Sequence, residues 1–163
     1  DGHRVLILGS GGAARAIAFA LATGTGIAGL TILGIEEAER QKLVKDLRDK
    51  TNIPIEDGPL TLDMLRNWVP HVRTLIHCTP VGMSPRVEES CVPTNLFRPE
   101  LTVMDIVYNP RETKLLQEAK AAGCRTISGL EMFLNQAVLQ FELWTKQPAP
   151  ADVMRRVLES RFG

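Results

Sequence analysis

The sequence predicts an α/β domain, a Rossmann-like doubly wound sheet of roughly six parallel strands with helices on both faces. Three observations predict it. Short apolar runs alternate with helical-period segments along the whole chain, the first run empties into a glycine-rich turn, and polar loops follow the later runs. With 163 residues, 44% hydrophobic and 23% charged, the chain can bury one sizeable core.

Val5 to Leu8 are four consecutive apolar residues and read as a buried strand. They run directly into Gly9-Ser10-Gly11-Gly12-Ala13-Ala14, after which Ala16, Ile17, Ala20 and Leu21 recur at helical spacing. Strand, tight glycine turn and helix in this order suit a diphosphate. Gly9 permits the sharp turn, Gly11 lets backbone approach the phosphates, and Ala14 keeps the helix close to the sheet. Free N–H groups and the dipole of the helix start then attract the anion.

A glycine-dense loop over 23–29 leads to a second strand, Leu30 to Leu33. Segment 36–50 reads as a helix burying Leu43, Val44 and Leu47, acidic at its start and basic toward its end. Ile53 to Ile55 is a candidate third strand, placed at a sheet edge by Pro54. Thr61 caps a helix to about Trp68, with Leu62, Leu65 and Trp68 facing inward. Arg73 to His77 is the fourth strand and empties into the loop Cys78 to Pro85. Residues 86–100 read as loop with a short turn near Leu96, and Leu101 to Val107 as a fifth strand ending in the polar turn 108–113. A helix from Lys114 to Ala122 stops at Gly123, and Cys124 to Ile127 form a sixth strand. Ser128-Gly129 opens a long amphipathic helix to about Trp144, and Pro148 and Pro150 separate it from a final helix, Asp152 to Phe162. Val153, Val157 and Leu158 of that last helix need a surface to cover.

Composition narrows the function. Nineteen basic residues balance nineteen acidic ones without a basic block, so nucleic-acid binding gains no support. The first apolar run is too short and glycine-rich for a membrane span or a leader, which makes the cytoplasm the expected location. Cys78, Cys91 and Cys124 lack ligand spacing and read as buried hydrophobes, so no metal is expected. The first strand begins almost at Asp1, which suggests a domain cut from something longer.

Four segments together resemble the shikimate dehydrogenase family. Gly9 to Ala14 is similar to its glycine turn, and Thr79-Pro80-Val81-Gly82-Met83 matches its TPVGM loop. Asp105, Tyr108, Pro110, Thr113, Leu115 and Leu116 fit its D-x-x-Y-x-P-x-x-T-x-L-L segment. Gly129 to Ala137, continuing through Gln140 to Thr145, resembles its G-L-x-M-L-x-x-Q-A helix.

The resemblance implies reversible hydride transfer between NADP or NAD and shikimate or 3-dehydroshikimate. It implies that residues 1–163 are the nucleotide-binding half, with 148–163 as a closing helix. The Lys and Asp that handle the substrate's proton belong in the family to a preceding domain, so no catalytic acid or base is expected in this chain. The substrate would be shared between the two domains; the oligomeric state stays open. By the same resemblance, Gly11, Gly12 and Ala13 lie against the diphosphate, Gly9 and Ser10 belong to the same cofactor-binding turn, and Thr79, Pro80, Val81, Met83, Ile106 and Gly129 line the ribose and nicotinamide. Tyr108 and Gln136 reach the substrate.

Two departures matter. Where the family often carries Asn-Arg-Thr after the second strand, this chain has Gly34-Ile35-Glu36. Glu36 or Glu37 is placed to bond ribose hydroxyls, a carboxylate there repels a 2′-phosphate, and Arg40 one helical turn on is a partial compensation. A reduced NADP preference is expected. His77 stands where the family usually has Asn, and reads as a packed or hydrogen-bonded residue. The open alternatives are a quinate- or pterin-linked dehydrogenase and a regulatory protein that keeps the domain as a metabolite sensor.

Overall fold

A computed structural model describes residues 2–24 and 26–162. Asp1 of the expected chain start, Thr25 of the glycine-dense loop and Gly163 of the closing segment lie outside the described residues. Among the described residues, six strands form one sheet: β1 (Arg4–Leu8), β2 (Gly29–Gly34), β3 (Ile55–Pro59), β4 (Thr74–His77), β5 (Thr102–Asp105) and β6 (Arg125–Ile127). Their order is β3-β2-β1-β4-β5-β6, and every neighbouring pair is parallel. The helices are α1 (Gly12–Gly24), α2 (Glu37–Lys50), α3 (Leu62–Trp68), α4 (Lys114–Ala121), α5 (Gly129–Thr145) and α6 (Ala151–Phe162). The doubly wound sheet expected from the alternating pattern is present.

Alternation along the strands divides the core. On β1, Leu6 and Leu8 enter the cluster that includes Leu65 of α3 and Leu115 of α4. Val5 and Ile7 enter the opposite cluster with Ala14 and Ala18 of α1 and Leu43 and Leu47 of α2. Both faces of β1 are therefore covered, as an unbroken apolar run requires. Burying a Leu or Ile side chain fully contributes about 1.5–3 kcal/mol relative to exposure, so the two clusters hold the strand ends in fixed register.

The third strand lies two residues later than the sequence suggests. It occupies Ile55–Pro59, pairing Leu30 with Ile55 and Gly34 with Pro59. Asp57, Gly58 and Pro59 are poor strand formers; pairing with β2 overrides their preference, and Pro59 is tolerated because β3 is an edge strand. Leu62 was expected inward and is 55% exposed, whereas Leu65 is buried. Thr61 does cap α3, accepting from the Met64 N–H. The fifth strand is shorter than expected because Asp105 ends it with a side-chain turn described below.

In α5 the residues buried are Gly129, Leu130 and Leu134. Strand β6, on which the helix starts, has three residues against seventeen in α5, so the sheet covers only its first turns. Helix α6 folds back along α5, tied by Arg155, which donates twice to Glu131. Among the described residues no helix is long and apolar enough to cross a membrane.

Candidate nucleotide-binding site

The strand order reverses between β1 and β4, and parallel sheets open a crevice at the carboxyl ends of such strands. Backbone bonds carry both strands into it: the Gly9 N–H donates to Leu33 O at 2.7 Å and the Cys78 N–H to Leu8 O at 2.7 Å. Gly9 has φ +110°, and a Cβ there would lie 2.7 Å from Cys78 O. Only glycine lets the turn leave β1 so close to β4.

The next two glycines differ. A Cβ on Gly11 or Gly12 would meet nothing within 4 Å, and both residues are exposed. The first turn of α1 holds no acidic side chain. Its N–H groups thus face open space at the positive end of the helix dipole, which fits a diphosphate. Ser10 is half-buried, with its Oγ 2.7 Å from where a Cβ on Gly34 would sit. Ser10 fills the space a longer residue at 34 would need.

At the end of β2, Ile35 is 74% exposed and Glu36 is exposed as the N-cap of α2, without capping it through its side chain. Arg40 is placed otherwise than the sequence suggests. It is 7% exposed, its Nε donates to Asp57 Oδ2 at 3.0 Å and its Nη1 to Gly34 O at 2.9 Å. That guanidinium joins α2 to β3 and the end of β2, and is not free to compensate Glu36.

Most of the remaining expected site residues line two clefts, whereas Val81 and Gly129 line neither. One, of about 890 Å3, runs between α1 and α5 and brings Gly12 and Ala13 together with Gln136 over Met104 and Ile127. The other, of about 500 Å3, gathers Thr79, Pro80, Met83, Ile106 and Tyr108. Tyr108 and Gln136 therefore line different clefts. Tyr108 stacks on Phe133 with ring centroids 4.6 Å apart and meets the edge of Phe162 at 5.4 Å. The stack ties the 108–113 turn to α5 and α6. The Ser84 N–H donates to Asn109 O at 3.1 Å, joining this turn to the 79–85 loop. Gly129 starts α5 against the end of β5: a Cβ there would lie 2.3 Å from Ile106 O.

Beneath the second cleft lies a polar cluster the motifs alone do not reveal. His77 and Asp105 are opposite each other in the β4–β5 ladder, both with 0% exposure. His77 Nδ1 donates to Asp105 Oδ1 at 2.9 Å, and its Nε2 is 2.5 Å from Thr79 Oγ1. Asp105 Oδ1 also accepts from the Val107 N–H at 3.0 Å, and Oδ2 from the Thr113 hydroxyl at 2.6 Å. Thr113 in turn caps α4, accepting from the Leu116 N–H. Burial opposes charge on His77, but the bond to Asp105 and the Cys91 thiol outweigh it and raise its pKa to about 9. Burial pushes the Cys78 thiol up to about 12. The sequence signal for the cluster was two polar residues ending neighbouring strands on one face, with a threonine before an apolar pair.

The family pattern described as Shikimate 5′-dehydrogenase C-terminal domain matches residues 129–159. A shikimate dehydrogenase (NADP(+)) of Moorella thermoacetica is 42% identical over 166 residues, which cover 99% of this chain and 55% of that protein. Among solved structures, the Listeria monocytogenes shikimate 5-dehydrogenase in complex with shikimate and NAD superposes with a TM-score of 0.89 at 33% identity, covering 96% of this chain and 56% of its own. A shikimate dehydrogenase in complex with NADP+ also gives 0.89, at 32% identity, covering 100% and 56%. The chain spans about half the length of the curated relatives it matches.

Proposed function

From a chain that matches the C-terminal part of shikimate dehydrogenases along its whole length, we propose the nucleotide-binding half of an oxidoreductase that interconverts 3-dehydroshikimate and shikimate. The observation that carries this reading is the convergence of the Gly9 turn, the 79–83 loop, the Tyr108 turn and Gly129 on the carboxyl edge of one sheet.

Gly11, Gly12 and Ala13 hold the diphosphate by backbone N–H groups at the start of α1, where there is room for it. Thr79, Met83 and Ile106 wall the nicotinamide end, mixing one hydroxyl with apolar surface that excludes water. The nicotinamide supplies or accepts the hydride when bound. Tyr108 and Gln136 offer a phenol and an amide to a polyhydroxylated acid from two sides. The acid and base come from the half of the protein that precedes this domain, and residues 148–162 close the domain over α5.

The polar end of β2 favours NAD more than the family pattern does. Glu36 is free to accept from ribose hydroxyls and repels a 2′-phosphate, and Arg40 is engaged with Asp57. The test is an assay of the full-length protein with shikimate and each nucleotide. Shikimate-dependent reduction of NAD or NADP is expected; reduction of neither overturns the reading. NADPH binding more than tenfold tighter than NADH overturns the role given to Glu36.

A further inference from the structure

We infer that His77 is a positioning residue that sets which way the Thr79 hydroxyl points, toward the protein or into the cleft where the nicotinamide end of the nucleotide is placed. The inference rests on that nucleotide reading and adds a control to it.

A threonine hydroxyl has one proton and two acceptor sites. One acceptor site of Thr79 Oγ1 faces the Val81 N–H at 3.3 Å, and His77 Nε2 lies on another side at 2.5 Å. Asp105, when ionised, only accepts, so His77 Nδ1 keeps a proton in either state of the ring. With a neutral ring, Nε2 carries a lone pair and the Thr79 hydroxyl donates inward to it. With a charged ring, Nε2–H donates to Oγ1. Both acceptor sites are then filled and the Thr79 proton turns outward, where Met83, Ile106 and Tyr108 line the cleft with it.

The proton on His77 thus decides whether Thr79 offers a donor to an acceptor on the ligand, such as an amide carbonyl or a ribose oxygen. The titratable groups facing His77 are Asp105 from β5 and the Cys91 thiol from the 86–100 segment. The Cys78 thiol, the residue that follows His77, stays neutral below about pH 12. Asp105 cannot swing away, being held by the Val107 N–H and the Thr113 hydroxyl. Rotation is therefore left to the Thr79 proton.

The test uses the full-length protein and NADH, which has no 2′-phosphate to titrate. Binding is titrated between pH 7 and 10, while nitrogen NMR of labelled histidine follows the His77 ring. Kd is expected to rise about fivefold, the value of one neutral hydrogen bond, as His77 loses its proton near pH 9. Thr79→Ser should keep this profile; Thr79→Val and His77→Gln should flatten it. A Thr79→Val profile that still follows the unaltered protein overturns the inference, because the slope then comes from another group. A His77 ring that keeps one protonation state across the range also overturns it. Tight binding without pH dependence sinks this inference alone, whereas absence of NADH binding at every pH sinks the nucleotide reading as well.

Discussion

Gly9 and Gly11 stand two residues apart in one turn, yet substituting each acts on a different property. In Gly9→Ala the new methyl lies 2.7 Å from Cys78 O, a backbone atom in the β1–β4 ladder that cannot rotate aside. Holding alanine at φ +110° costs about 1–3 kcal/mol, and displacing β4 by several tenths of an ångström adds about 1–3 kcal/mol. The sum, about 2–6 kcal/mol, lowers Tm by roughly 10 °C for a chain of this size. In Gly11→Val nothing lies within 4 Å of the new Cβ, so the stability cost is the weaker N-cap alone, about 1 kcal/mol. Its methyl groups instead occupy the space above the first turn of α1, and NADH affinity should fall at least a hundredfold. Urea denaturation and NADH titration of both variants measure the two effects. A Gly9→Ala variant within 1 kcal/mol of the parent, or a Gly11→Val variant binding NADH within threefold of it, would refute this placement of the turn.

Three further outcomes are expected. His77 has a folded pKa of about 9 against 6.5 unfolded, so its stabilisation is complete below about pH 6.5, declines as pH rises, and is lost above about 9. That difference amounts to roughly 3 kcal/mol, and urea unfolding between pH 6 and 10 should show a fall that His77→Gln lacks. Asp105→Asn leaves the His77 ring, the Val107 N–H and the Thr113 hydroxyl competing for a weaker acceptor; about 3–5 kcal/mol of stability should be lost in thermal melts. Glu36→Thr removes a carboxylate from the end of β2, and the ratio of NADPH to NADH affinity should rise about tenfold, whereas an unchanged ratio would mean that Glu36 does not face the 2′ position.

Much of the fold was legible because each strand and helix advertises itself by period. Val5 to Leu8 read as a buried strand and form one covered on both faces, and Thr61 and Thr113 both cap helices in the structure, Thr61 where the sequence placed a cap. Ile55–Pro59 was not legible, since nothing in Asp57-Gly58-Pro59 favours extension until β2 offers its free edge. The exposure of Leu62, Val153 and Val157 was equally hidden, because a helical stripe states which residues share a face and not what that face meets.

The candidate site divides the same way. By itself the sequence determined the glycine turn, the loops that end the strands and the absence of an Arg after β2, because these are local matters of residue type and spacing. Tertiary structure decided the rest. It directed Arg40 into Asp57 and Gly34 O, set Tyr108 against Phe133, and placed His77 between Asp105 and Thr79. Each of these depends on which strands are neighbours and in what register, and that is fixed only when both core clusters close around the sheet.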